Sequence, residues 1–447
     1  MKIVIVGGVA AGMSVAAKAK RLNKDLNITV YEKTDVISWG ACGLPYYVGD
    51  FYSNSDRMIA RPLEKFIESG IDVKINSEVI EINDKEKTVL IKNMKSGEIC
   101  KDTYDKLVIS SGARAILPPI KNIDLKNVFL LKSFDDGISL KEEVLKKENQ
   151  NIVIIGAGYI GLEVAEAMKH LGKKNIKIIQ LSERVLVDSF DKEITDIIEE
   201  EIRSTENVSL HLEEMVTEFK GENGKIKEVI TNKEKYLADL VVIATGVKPN
   251  TEFVEKIGIK TLKNGAIIIN NKGETNIKDI YSAGDCATVP HLLSEEPKYI
   301  PLATTANKIG RVIGEILGGL DKEFKGTLGS AAVKVFDVEA GRTGLSEKEA
   351  QKEEINYGIV FIEDMNQTSY YPGQEKIYIK IIYNKDTKVL LGGQIVGKKG
   401  AVLRVDTLAT AIYSKMTVDE LGMLDLCYAP PFARTWDALN VVGNVAK

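Results

Sequence analysis

Short, wholly apolar runs alternate along the chain with longer amphipathic stretches. That rhythm predicts parallel strands buried on both faces, with helices packed over them. The first apolar run, residues 3–6, opens onto Gly7, Gly8, Val9, Ala10, Ala11 and Gly12, then a helical stretch, then a second strand over 28–31 that ends at Glu32. The same order recurs when residues 152–155 open onto Gly156, Ala157, Gly158, Tyr159, Ile160 and Gly161, a helix, and a strand over 176–179. Each is a β-α-β unit whose glycine turn aims backbone N–H groups and a helix N-terminus at a pyrophosphate. The second copy has all three glycines, whereas the first has Val9 in the middle position. Glu32, with Lys33 beside it, stands about 20 residues past Gly12, where an acid accepts ribose hydroxyls. Two more apolar runs, over 104–112 and 239–246, end in Ser111-Gly112 and Thr245-Gly246, and 275–285 reads as a strand ending at Gly284-Asp285. In the last third, strand composition at 326–336, 374–383 and 390–396 gives way to helical spacing over 401–415 and a capping box at Thr417–Glu420.

The 447 residues, 44% hydrophobic and 28% charged, predict two or three domains. Sixty basic against 64 acidic residues leave a net charge of −4 with no long basic run, which gives nucleic acid or a membrane surface no electrostatic hold. No apolar run approaches the roughly 20 residues that span a bilayer, and no leader precedes the first strand, so the expected location is the cytoplasm. Three histidines and four dispersed cysteines, with no CxxC pair, predict neither a metal site nor a disulfide framework. Cys100, Cys286 and Cys427 are expected to be small buried hydrophobes. Cys42 is different. It lies between Gly40 and Gly43 in Ser38-Trp-Gly-Ala-Cys-Gly-Leu-Pro-Tyr-Tyr47, shortly after Glu32. If it opens a helix, the dipole lowers its pKa and favours the thiolate that attacks a disulfide.

The Gly7 turn, the Gly156 turn, Ala244-Thr-Gly246 and Ala283-Gly-Asp285, in that order, resemble the pyridine nucleotide–disulfide oxidoreductase superfamily across essentially the whole chain. The resemblance implies an α/β fold of two Rossmann-like domains. An NAD(P)H-binding domain (114–245) is inserted in a split FAD-binding domain (1–113 and 246–325), and an α+β interface domain (326–447) follows, whose antiparallel sheet and helices make a homodimer. On the FAD side it implies Gly7 to Gly12, Glu32, Lys33, Ser111, Gly112, Gly284 and Asp285. On the nicotinamide side it implies Gly156, Gly158, Tyr159, Ile160, Gly161, Glu163, Gln180, Arg184 and Gly246, with Tyr159 covering the flavin until the nicotinamide displaces it. NADH against NADPH is open: Gln180 replaces the acid that selects an unphosphorylated ribose, and Arg184 is positioned in sequence to meet a 2′-phosphate.

The cysteine segment is similar to that of the single-cysteine branch, which holds coenzyme A disulfide reductases, persulfide or polysulfide reductases, NADH oxidases and NADH peroxidases. Three features lean toward a small thiol or disulfide of coenzyme A. The first glycine turn lacks the His that oxidases and peroxidases carry. Ser14, Lys18 and Arg21 share one face of the first helix and, with Ser38, match positions that contact CoA in such reductases, while Val15, Ala19 and Leu22 pack inward. Tyr370, Tyr371 and Tyr428 resemble C-terminal tyrosines that reach the partner's cysteine and can donate to a departing thiolate. Trp39 and Ala41 depart from the Phe and Asn frequent in the family, and losing the Asn puts one substrate hydrogen bond in doubt. The resemblance therefore implies NAD(P)H-dependent reduction of CoA disulfide or a per- or polysulfide through a mixed disulfide at Cys42. The alternatives are an NADH oxidase working through a Cys42 sulfenic acid, and a flavin reductase of a small redox protein.

Overall fold

The computed structural model describes residues 1–446. Its two glycine turns sit at the centres of two parallel five-stranded sheets wound the same way. In the first sheet Lys2–Val6 is central, with Asn27–Tyr31 and Asp72–Lys74 on one side and Lys106–Ile109 and Ile280–Ser282 on the other. In the second, Asn151–Ile155 is central, flanked by Asn175–Ile179 and Val208–His211, and by Leu240–Ile243 and Val128–Leu130. These strands read as apolar runs because both faces are covered: Ile3, Val4, Ile5, Leu107, Val108, Ile152, Val153, Ile154, Val241 and Val242 are all buried. The segment that builds the second sheet lies in sequence between two strands of the first. The chain leaves and returns side by side, Ala113–Ala115 pairing antiparallel with Val247–Pro249.

Helix Ala10–Leu22 covers the first sheet and crosses Ala303–Leu317, where Gly310 lets the helices approach: a Cβ there would lie 2.6 Å from the Ala11 carbonyl oxygen. Val15 and Ala19 are buried as expected, but Leu22, in the last turn against Gly318, stays 39% exposed.

The last third is an antiparallel sheet in the order Ala331–Val335, Val338–Gly344, Leu390–Gly397, Lys376–Asn384, Tyr357–Met365, with helices Ala401–Tyr413, Val418–Gly422 and Ala438–Val445. The Thr417 capping box is formed. Val338–Gly344 and Tyr357–Met365 carry no strand signal in the sequence reading. The former is Gly-rich and polar, and the latter mixes Gly358 with acids, so pairing with neighbours decides their conformation.

Lys380 joins this sheet to the second nucleotide-type domain. Its side chain is fully buried, and Nζ lies 2.8 Å from Glu193, 2.8 Å from Glu347 and 3.3 Å from Asp191. Removing one member of a buried charge cluster leaves the others unpaired, so Lys380→Ala is expected to cost about 3 kcal/mol. The lower end of the usual range applies because Glu193 and Glu347 are each about a third exposed. Urea unfolding with an unchanged m-value checks this.

Candidate active site

The two glycine turns repeat each other in atomic detail. Gly7 and Gly156 have φ of +96° and +105°, and a Cβ would meet the carbonyl oxygens of Ser110 and Ala244 at 2.2 and 2.4 Å. Only glycine makes that turn. The residue ending the second strand then ties the turn down. Glu32 accepts from Gly8 N at 2.7 Å and from Thr34 N at 2.9 Å, while Gln180 Oε1 accepts from Ala157 N at 3.0 Å. Gly158 supplies the test of fit for a dinucleotide. No protein atom lies within 4 Å of where its Cβ would stand, so packing does not require glycine, whereas a pyrophosphate drawn against the backbone does. In the first copy Val9 takes this place as the N-cap of helix Ala10–Leu22. The Gly7 and Gly156 turns singled out in the sequence are thus two like-built cradles. Ser111 and Gly112 lie beyond Lys106–Ile109, Ser111 Oγ donating to the Asn250 carbonyl at 2.6 Å, and Lys33 is exposed next to Glu32.

Cys42 is held beside the first turn by its own segment. Ser38 adopts φ +49°, a left-handed conformation costing about 1 kcal/mol for a side-chain-bearing residue. Its amide donates to the Gly8 carbonyl at 2.9 Å and its carbonyl accepts from Ala60 at 2.7 Å. Trp39 is buried edge-on against Phe134, with 5.5 Å between ring centroids. The chain then enters the 3₁₀ turn Ala41–Gly43 and, without a break, the helix Leu44–Val48.

The expected fall in the Cys42 pKa is not found. The thiol is exposed by surface area, yet enough protein surrounds the sulfur that burial raises its pKa first and Glu163 second, with Asp285 adding and Lys132 opposing. The helix behind it is five residues long and does not offset the burial and the neighbouring carboxylates. The expectation of three buried cysteines also fails for two. Cys286 is buried, but Cys100 lies exposed on the outermost strand Ile99–Thr103, and Cys427 lies exposed beside Tyr428.

Around Cys42 the structure gathers residues the linear reading passed over. Lys132 Nζ donates to Asp285 Oδ2 at 2.8 Å, so the carboxylate expected on the FAD side also carries a lysine. The Tyr46 hydroxyl is pushed up to about 12, by burial first and then by the neighbouring carboxylates of Glu163 and Glu166. Glu163 is raised to about 7, by burial first and Glu166 second. Glu166 pairs with Lys334 from the C-terminal sheet. Tyr159, the first residue of helix Tyr159–His170, meets Ser189, whose carbonyl accepts from Arg342 at 2.8 Å. Tyr46 had a signal, being part of the cysteine segment. Lys132 had none.

Two assignments come out differently, those of Lys18 and Arg184. Lys18 is not a free cation: it pairs with Glu315 at 3.1 Å, both side chains mostly buried. Arg21 on the same face is exposed, and Ser14 Oγ donates to Asn307 Oδ1 at 2.7 Å, which brings Asn307 to this face. Arg184 turns into the protein, its guanidinium on the Phe190 carbonyl at 3.2 Å and Thr195 Oγ1 at 3.3 Å, because helix Lys192–Ser204 packs over it; this removes the support for a 2′-phosphate contact. Tyr370 and Tyr428 are exposed and share a hydroxyl–hydroxyl bond of 2.7 Å, with Tyr371 exposed beside them.

Comparison with known proteins agrees with this architecture. Residues 1–310 match the family described as pyridine nucleotide-disulphide oxidoreductase, and residues 330–439 match its dimerisation domain. The NAD(P)H coenzyme A polysulfide/persulfide reductase of Pyrococcus horikoshii is 40% identical over all of this chain and 98% of its own length. An NADH oxidase of Enterococcus faecalis is 34% identical, covering 100% and 99%. The solved structure of an NAD-dependent persulfide reductase from A. fulgidus superposes with a TM-score of 0.94 at 35% identity, over 100% of this chain and 83% of that one. With two matched glycine cradles, a lone cysteine beside the first and a dimerisation-type sheet behind them, the chain belongs to the pyridine nucleotide-disulphide oxidoreductase family.

Proposed function

We propose that this protein is an FAD-dependent NAD(P)H oxidoreductase that reduces a coenzyme A persulfide, polysulfide or disulfide through Cys42. One observation carries the reading: an accessible thiol fixed beside the first glycine turn by the Ser38–Gly8 bond, with no second cysteine in its segment. A disulfide exchange needs two sulfurs, so the substrate supplies the other. The flavin, when bound, supplies the path by which a nicotinamide hydride becomes two electrons at sulfur. The chain does the rest. The Gly7 and Gly156 cradles hold two dinucleotides, Cys42 forms and releases a mixed disulfide, and Arg21, Ser14 and Ser38 face the substrate. The domains divide near residues 113, 245 and 325. The polysulfide/persulfide reductase name of the Pyrococcus relative supports the sulfur acceptor.

A homodimer in the cytoplasm completes the reading. Leu403, Met423, Phe432 and Trp436 present apolar surface on the dimerisation-type domain, each more than half exposed. The Tyr370–Tyr428 pair lies in the same domain and would meet the partner's cysteine. Among the described residues no helix is long and apolar enough to cross a membrane.

The test is anaerobic NAD(P)H oxidation with CoA persulfide or CoA disulfide, set beside oxygen uptake with no sulfur substrate. The reading expects the sulfur reaction to dominate; oxygen consumption that exceeds it moves the protein to the NADH oxidases. On the nicotinamide side, Gln180 stands where Glu32 stands in the first copy, so Gln180→Glu places a carboxylate beside the adenine ribose. The NADPH/NADH ratio of kcat/KM is expected to fall about tenfold, equivalent to about 1.4 kcal/mol. An unchanged ratio removes Gln180 from cofactor choice.

A further inference from the structure

The Tyr370 and Tyr428 hydroxyls stand 2.7 Å apart, although both side chains are exposed and 58 residues separate them in the chain. They sit on two loops. One, 366–375, joins strands Tyr357–Met365 and Lys376–Asn384; the other, 423–437, joins helices Val418–Gly422 and Ala438–Val445. Surface loops are mobile unless something ties them down. Here the root of the first loop is polar and yet buried, at Asn366, Gln367 and Thr368. Each of these side chains is turned onto the loops. Asn366 Oδ1 accepts from Glu375 N at 2.9 Å, and Gln367 Nε2 donates to the Pro372 carbonyl at 3.0 Å. Thr368 Oγ1 reaches across to the second loop and donates to the Pro430 carbonyl at 3.2 Å.

The strongest tie comes from a third element. Arg404, in the first turn of helix Ala401–Tyr413, donates through Nη2 to the Asn366 carbonyl at 3.0 Å and to the Phe432 carbonyl at 3.2 Å. Asp437 aims the same guanidinium, accepting from Nε at 3.0 Å and from Nη2 at 2.7 Å, and the Gly400 carbonyl accepts from Nη1 at 3.1 Å. Asp437 is itself fixed as the N-cap of helix Ala438–Val445. The Arg404 and Asp437 side chains are only 12% and 9% exposed, so the fork works away from bulk water. A planar guanidinium serves two loop carbonyls and a carboxylate at once, which an ammonium does not. We propose that Arg404 is a positioning residue for sulfur reduction, setting the two tyrosine loops so that their hydroxyls meet. Within the pair, the hydroxyl that accepts keeps its own proton free, and the bond it receives makes that proton easier to share. A substrate thiolate departing from the partner's Cys42 takes that proton, and solvent restores it. The role depends on the function proposed above and adds to it the group that aligns the donor.

The experiment measures kcat and KM for CoA disulfide in the FAD-loaded enzyme. It compares wild type, Arg404→Lys, the double variant Tyr370→Phe with Tyr428→Phe, and all three changes together. Arg404→Lys keeps the charge beside Asp437 and gives up the fork. It is expected to lower kcat about tenfold while KM moves much less, because misaligned groups lose rate and leave substrate contacts in place. In the protein lacking both hydroxyls the same substitution should cost nothing further, since no pair remains to be aligned. Thr368→Val removes only the tie to the Pro430 carbonyl. It should show the same dependence on the tyrosines with a smaller loss, and it carries the test if Arg404→Lys does not fold. The proposal is overturned if Arg404→Lys keeps the wild-type kcat, or if the double tyrosine variant turns over like wild type. It is equally overturned if the Arg404→Lys loss is the same with and without the hydroxyls, as a merely structural role would give. Failure of the underlying function looks different: Cys42→Ser would then retain turnover, whatever Arg404 does.

Discussion

Cys42→Ser is expected to retain bound flavin, to let NAD(P)H bleach it at a near-normal rate, and to lose turnover of CoA disulfide or persulfide by roughly 10⁴-fold or more, the scale on which removing a nucleophile ends covalent catalysis. The separation follows from where the residues lie. The two cradles are set by Gly7 and Gly156 against their own sheets, and the side chain of Cys42 takes part in neither. Serine is close to isosteric, and the backbone hydrogen bonds of the segment, Ser38 to Gly8 and Gly43 to Gly40, do not involve the sulfur. Only the exchange step needs it. Absorbance at the flavin band under anaerobic NAD(P)H, set beside thiol release, reads both halves in one sample. The raised Cys42 pKa adds a direction: the free protein holds a thiol more than a thiolate, so alkylation of Cys42 should speed up as pH rises above the ordinary cysteine range.

Gly156→Ala and Gly7→Ala form a crossed pair with the next largest effects. At Gly156 an added Cβ meets the Ala244 carbonyl at 2.4 Å in a backbone already at φ +105°. At Gly7 it meets the Ser110 carbonyl at 2.2 Å at φ +96°. Neither neighbour is a flexible side-chain tip, so the turn must move. Overpacking of this kind costs about 1–3 kcal/mol, felt first at the cradle. Gly156→Ala should keep its FAD and lose flavin reduction by NAD(P)H, about 10- to 100-fold in kcat/KM, since each 1.4 kcal/mol is tenfold. Gly7→Ala should lose FAD on purification while still binding NAD(P)H. If both variants lose the same cofactor, the assignment of one turn to each dinucleotide is wrong. Thermal melts of both proteins separate the local effect from unfolding.

The parts of the fold that were readable in the sequence are those whose signal is local. Two β-α-β units announce themselves through apolar runs, spaced glycines and a strand-end polar residue, and the Thr417 box marks its helix. The strands at Val338–Gly344 and Tyr357–Met365 were not readable, because Gly341, Gly344 and Gly358 weaken strand composition and ladder pairing with Leu390–Gly397 and Lys376–Asn384 overrides it. The site divides the same way. Cys42, Glu32, Gln180 and Tyr159 carry their meaning in a motif. Lys132, Glu166, Lys334 and Glu315 carry theirs only through contacts across more than 100 residues of chain: Lys132 to Asp285, Lys334 to Glu166, Glu315 to Lys18. The two cations that are not free share one cause. Lys18 and Arg184 read as free cations in a linear helix or loop, and a neighbouring helix supplied each with protein partners.

The central claim is that Cys42 exchanges sulfur with coenzyme A. Its most direct test is the intact mass of the purified protein under denaturing, non-reducing conditions, before and after dithiothreitol, with peptide mapping of the adduct. The account predicts a dithiothreitol-sensitive increment equal to one coenzyme A, located on the peptide holding Cys42 and formed on adding CoA disulfide where it is not already present. A Cys42 that stays unmodified under excess CoA disulfide, or an adduct confined to Cys100 or Cys427, would contradict it.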